Sequence, residues 1–116
     1  MKLGFIVRTG PYTTQDIDTV YELSKAAIGA GHEVEIFLYD DAVMALNKDI
    51  KPPKERSIPG RLTEIIDMGA TVSGAALSAK FRGLRRDGLI ENTRIGGMAT
   101  LNNLVESCDR IVTLSF

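Results

Sequence analysis

Leu3-Gly4-Phe5-Ile6-Val7 and Val34-Glu35-Ile36-Phe37-Leu38-Tyr39 are the two stretches on which the fold turns. The first is apolar almost throughout, the pattern of a strand buried on both faces in a parallel sheet. Gly10-Pro11 stops it. Thr13, with Asp16 three residues later, then starts a helix, Thr13 serving as N-cap and the carboxylate lying near the positive helix end. Ile17, Val20, Tyr21, Ser24, Ala27 and Ile28 recur at helical spacing and form one buried stripe. Gly29 and Gly31 can adopt positive φ and close that helix. Strand, helix and strand within about forty residues make a βαβ unit with a right-handed crossover.

Outward from this unit the pattern continues. Asp40-Asp41 ends the second strand and can cap a short helix over Ala42 to Leu46. Asn47 to Gly60 holds three prolines and reads as an exposed loop, either a lid or binding loop or a tolerated surface insertion. Leu62, Ile65, Ile66 and Met68 mark the next helix, ended by Gly69, and Ala70 to Ser73 a short third strand. Gly74 to Phe81 is rich in small residues and runs into Arg82-Gly83, with a further turn at Asp87-Gly88. Leu101, Leu104, Val105 and Cys108 stripe a final helix, and the apolar run Arg110 to Phe116 predicts a last strand at or near the sheet centre. The expectation is one domain over residues 1–116: an α/β fold with a four- to five-stranded, mostly parallel sheet and helices on both faces.

Composition narrows the function. A net charge of −1 provides no global positive field for nucleic acid or an anionic membrane. No apolar run approaches the roughly 20 residues that span a bilayer, and the N-terminal segment reads as a strand rather than a leader. One cysteine cannot form an intramolecular disulfide, which fits a cytoplasmic protein, and with one histidine it leaves no ligand set for a structural metal. No cofactor is expected: neither GxxxxGK[ST] nor GxGxxG is present, and no GxSxG elbow accompanies His32.

In open parallel sheets ligands sit beyond the carboxyl ends of the strands, at a topological switch point. Thr9-Gly10-Pro11-Tyr12, Tyr39-Asp40-Asp41 and Ser73-Gly74-Ala75-Ala76 should converge there. Gly10 would let backbone approach a ligand, and the helix start near Thr13 would offer amides to an anion; equally, Gly10-Pro11 can be a plain turn. Asp40 and Asp41 are adjacent, so they make a poor acid/base pair, and capping is their favoured role. Lys80, Arg82, Arg85 and Arg86 form a basic cluster, read first as solvated surface and second as an anion or acidic-partner site. Cys108 completes an apolar stripe beside Glu106 and Asp109, so it reads as a buried small hydrophobe rather than a reactive thiol.

With these segments placed, the whole chain resembles the DsrE/DsrF/TusD family of small sulfur-transfer proteins. The resemblance rests on Thr9-Gly10-Pro11-Tyr12, Ala26-Ala27, Gly31-His32-Glu33, Phe37-Leu38-Tyr39-Asp40-Asp41-Ala42-Val43, Arg82-Gly83-Leu84 and Cys108-Asp109-Arg110-Ile111-Val112. It implies a flavodoxin-like three-layer sandwich, and homotrimers, homohexamers or complexes with related subunits. It also implies persulfide chemistry on a cysteine just after the third strand, with a sulfur-carrier protein as partner. Counted back from Arg82-Gly83, that cysteine falls on Ala75, and the second cysteine of some relatives on Ser78. The leading expectation is therefore a sulfur-relay-type protein without its own persulfide carrier, acting as a structural or regulatory subunit or a binding module. The alternatives are an active sulfurtransferase using Cys108, and a small-molecule or anion-binding protein using the cleft at the carboxyl ends of the strands, with Thr9, Gly10, Tyr12, Asp40, Asp41, Ala75, Ser78 and Arg82 as candidates.

Overall fold

Every strand of the sheet runs in the same direction, because every strand-to-strand connection is a crossover. The computed structural model describes residues 1–116, in the order β1 (Lys2–Val7), α1 (Asp16–Gly29), β2 (Glu33–Leu38), a 3-10 segment (Asp40–Leu46), α2 (Ile58–Asp67), β3 (Thr71–Ala75), α3 (Ala76–Phe81), a 3-10 turn (Arg86–Gly88), β4 (Arg94–Gly96), α4 (Met98–Ser107) and β5 (Arg110–Leu114). The sheet order is β4-β3-β2-β1-β5, parallel throughout. Successive steps from β1 to β4 move one way, so right-handed crossovers put α1, α2 and α3 on one face. The return from β4 to β5 passes back over the sheet and leaves α4 alone on the other.

The two faces are therefore unequal. Phe5, Val7, Val34, Ile36, Leu38 and Val72 point toward α1, α2 and the 3-10 segment, where Ile17, Val20, Val43, Leu46, Leu62 and Ile65 complete the main core. Beneath α4 the buried cluster is only Phe37, Ala75 and Leu104, edged by Ile6, Tyr39, Leu101 and Cys108. The architecture is a flavodoxin-like α/β sandwich, as expected, with a thick layer and a thin one.

Several local readings change. β5 is an edge strand paired with β1 alone, not a central one, and Arg110 to Thr113 are exposed. Its apolar residues alternate toward faces whose helices stop short of it: α1 lies over β1 and β2, and α4 over β1, β2 and β4. Thr13 does not cap α1. Gln15 holds that position, while the Asp16 N–H donates to Thr14 Oγ1 at 3.3 Å and Thr9 Oγ1 donates to Asp16 Oδ2 at 2.5 Å. The exposed loop ends at Ser57, not Gly60, because Ser57 Oγ accepts the Gly60 N–H and Pro59 fits the first turn of α2. β3 runs on to Ala75, its Gly74 pressed so closely by Leu46 and Val43 that a Cβ there would lie 2.7 and 2.9 Å from them.

Candidate functional site at the carboxyl ends of the strands

The switch point lies between β1 and β5, since the chain leaves β1 in one direction and finally returns on its other side. Three loops meet over the ends of β1, β2 and β3. A Cβ on Gly10 would approach the Asp41 Cβ to 3.3 Å, so the first turn and the start of the 3-10 segment are in contact. The Asp40 N–H donates to Ser78 Oγ at 3.0 Å, which ties β2's end to α3. Arg82 donates to Asp41 through Nε at 2.9 Å and to the Ser78 carbonyl through Nη1 at 3.0 Å. Arg8 pairs with Asp40 at 2.8 Å and lies over the Tyr39 ring. The small cavity left between them, about 270 Å³, is lined by these four charged groups with Ser115 and Phe116.

Each expected site residue can now be placed. Asp40 and Asp41 make ion pairs, and neither forms a side-chain cap on the 3-10 segment. Asp40 holds a left-handed backbone at φ 51°, as does Tyr12 at φ 67°. Such conformations in non-glycine residues persist only where the surroundings enforce them. For Tyr12 the enforcing contact is visible: its hydroxyl donates to the Arg56 carbonyl at 2.9 Å and accepts the Ile58 N–H at 3.0 Å. Tyr12 thus latches the long loop to the entry of α2. The same loop is held by Arg56, whose guanidinium binds both oxygens of Asp18 at 2.8 Å, while Arg61 reaches Asp18 at 2.6 Å. Burial opposes ionisation of Asp18, but the two arginines outweigh it and hold the carboxyl below its usual range. The loop's sequence revealed none of this, because both partners lie on α1 and the β1 turn.

Thr9 is buried and its hydroxyl is spent on Asp16 and Thr14. With Asp16 and Asp18 in the first turn, the start of α1 is already occupied by negative charge and is not an open anion seat. Arg82, the receptor expected for an anion, has its donors engaged by Asp41 and Ser78. Arg85 pairs with Asp87, and the basic cluster does not gather on this cavity.

Ala75 stands apart from the charged cavity. It is 5% exposed, ends β3, and packs with Phe37 and Leu104 in the thin layer beneath α4. Ser78 is buried three residues further on. Cys108 caps the far end of α4, against the opposite end of the sheet, and is partly buried. A Cβ on Gly4 would sit 2.8 Å from its sulfur, so β1 and the end of α4 touch there. Burial, reinforced by the Glu35 carboxylate, pushes the Cys108 thiol above its ordinary pKa despite Lys2 nearby. This is the opposite of the electropositive, exposed setting that activates a thiolate.

The sequence model of the DsrE/DsrF-like family matches residues 1–114. The chain belongs to the DsrE/DsrF-like family. Among its relatives is an uncharacterized protein of Methanocaldococcus jannaschii, 29% identical over 113 residues, covering 97% of this chain and 99% of that protein. A DsrE protein of Allochromatium vinosum, whose name gives it as a candidate sulfurtransferase, is 29% identical over 126 residues and covers 97% of each chain. The crystal structure of the ychN protein of E. coli superposes with a TM-score of 0.90 at 22% identity, covering 98% of this chain and 99% of that one. A protein of unknown function from Methanobacterium thermoautotrophicum gives 0.77 at 13% identity, covering 97% of each. These structures share the fold, and the family membership rests on the match of the sequence model over residues 1–114.

Proposed function

We propose that this DsrE-like protein is a sulfur-relay-type subunit that does not carry sulfur on a cysteine of its own. It serves as a structural or regulatory subunit, with the strand-end cleft as its binding surface. The observation that carries this reading is the state of the two relevant positions. Ala75, where the family pattern places the carrier, has only a methyl group, enclosed by Phe37 and Leu104. Cys108, the sole thiol, lies at the other end of the sheet with its pKa raised. A sulfur carrier needs a thiolate that attacks a donor's outer sulfur and keeps it as a persulfide, and neither position supplies one.

Partner binding has its own support. Met98 and Val105 on α4, with Ile111 on β5, leave apolar side chains exposed on the thin side of the molecule, and Val112 is exposed on the other face of β5. Leu77 and Phe81, one turn apart on α3, are 64% and 78% exposed. Apolar surface left bare on both faces suits a chain that is covered in a homo-oligomer or by related subunits.

The test is incubation of the native protein and of an Ala75→Cys variant with a persulfide donor, followed by intact-mass measurement. Native protein is expected to gain no stable sulfur atom. Ready gain of one sulfur atom on Cys108 of the native protein would overturn the reading.

A further inference from the structure

The sheet has two edges, and the one at β4 is strongly basic. Residues 76–96 hold Lys80, Arg82, Arg85, Arg86 and Arg94 against Asp87 and Glu91, in a chain whose net charge is −1. Arg82 lies 2.7 Å from Asp41, and Arg85 lies 3.5 Å from Asp87. Lys80, Arg86 and Arg94 enter no ion pair, and all three are exposed.

Two of these free cations share a hollow. Arg86 and Arg94 line a cavity of about 410 Å³ with Leu89, Thr93 and Ile95, and no carboxylate lines it. β4 ends the sheet on this side, so no further strand closes the hollow from outside. Beside it α3 packs against β4. Ser78 and Ala79 are its buried residues, which leaves Leu77, Lys80 and Phe81 facing outward. Gly83, at φ 68°, reverses the chain, and the Leu84 N–H donates back to the Ala79 carbonyl at 3.0 Å. Arg85 and Arg86 are thereby held at the foot of α3, next to the turn that bears Phe81.

Charge and apolarity together decide what fits this edge. A second copy presenting the same face would set one cationic patch against another. An anionic membrane would meet only two outward apolar side chains, on a chain of net negative charge. An acidic protein segment that also carries apolar side chains answers both features. We propose that the α3–β4 edge is a docking surface for such a segment, its carboxylates received by Arg86 and Arg94 and its apolar side chains by Leu77 and Phe81. The inference rests on the partner-binding part of the proposed function and names the partner's chemistry. Its failure would leave the reading of Ala75 and Cys108 in place, because intact mass after treatment with a persulfide donor tests that reading separately.

The probe is a fluorescent synthetic peptide of Glu and Leu in a helical repeat, titrated with the full chain and followed by anisotropy. A Lys and Leu peptide of the same pattern, and vesicles of phosphatidylserine and phosphatidylcholine, serve as comparisons. The Glu and Leu peptide is expected to bind saturably in about 0.1 M salt and several-fold more weakly in about 1 M, as the Debye length falls from about 10 to about 3 Å. Arg86→Glu combined with Arg94→Glu, and separately Phe81→Ser, should each weaken binding about tenfold. All three side chains are exposed, so the melting temperature should hold in both variants. No saturable binding in the micromolar range, equal binding of the Lys and Leu peptide, unchanged affinity in both variants, or preference for vesicles over the peptide would each overturn the assignment. So would a fall of the native mass to that of the monomer in Phe81→Ser, which would give this face to a second copy.

Discussion

At the scale of single residues, Asp18 and Cys108 show how environment assigns roles that residue type does not. Asp18 is one of several acids on α1, but it receives Arg56 and Arg61 together. Its pKa is depressed, so its contribution to stability is present above the unfolded carboxylate value, near 4, and is lost as pH falls through the lower folded value. Asp18→Asn should cost on the order of 2 kcal/mol at neutral pH. It should also flatten the stability loss below about pH 4, and thermal melts from pH 2 to 7 would show both. Cys108 has the reverse shift, because desolvation and Glu35 favour its neutral thiol. At pH 7.5 its alkylation should be slower by about tenfold or more than in the denaturant-unfolded chain, measured by the mass of the carbamidomethylated protein.

At the scale of elements, the thin side depends on how closely α4 lies against β1. Gly4 makes that approach feasible, since a methyl there would press on Cys108 Sγ and on Leu104 Cδ2 at 2.9 Å. Gly4→Ala should therefore destabilise the protein by about 1–3 kcal/mol through overpacking, read from urea denaturation. The loop from Asn47 to Ser57 illustrates the other side of the same point. Its prolines announce an irregular connection, but its fixation comes from Tyr12 and Asp18, remote in the chain. Tyr12→Phe keeps the ring and removes both hydroxyl bonds, so about 1–2 kcal/mol of stability should go. Limited proteolysis of the variant should cut first within residues 47–57. The helix start near Thr13 is legible as a cap region, yet the bonding hydroxyls belong to Thr9 and Thr14 rather than Thr13, a choice made by the exact path of the turn.

For the whole molecule, one thick and one thin layer leave apolar side chains uncovered along α4 and β5. An edge strand with exposed Ile111 and Val112 invites pairing or coverage. Light scattering at micromolar concentration is expected to give a mass above the 12.6 kDa monomer. Val105→Asp should shift that mass toward the monomer without loss of secondary structure. A monomeric native protein would remove the oligomeric part of the proposed function while leaving the assignment of Ala75 untouched.

The sequence alone settles the α/β class, the βαβ opening unit, the parallel sheet and the family, because buried parallel strands write continuous apolar runs and helices write their own period. It also points to the three loops that meet beyond the strand ends. What it cannot carry is which strand stands at the edge, since an apolar run such as Ile111 to Leu114 reads alike whether covered or bare. Nor can it reveal that Asp40, Asp41, Arg8 and Arg82 neutralise one another, or that Lys2, Ser73, Arg94 and Glu106 border a single groove. Those facts depend on contacts between residues distant in the chain: the ion pairs form where the ends of β1 and α3 meet the start of the 3-10 segment, and the groove forms where α4 crosses the second face.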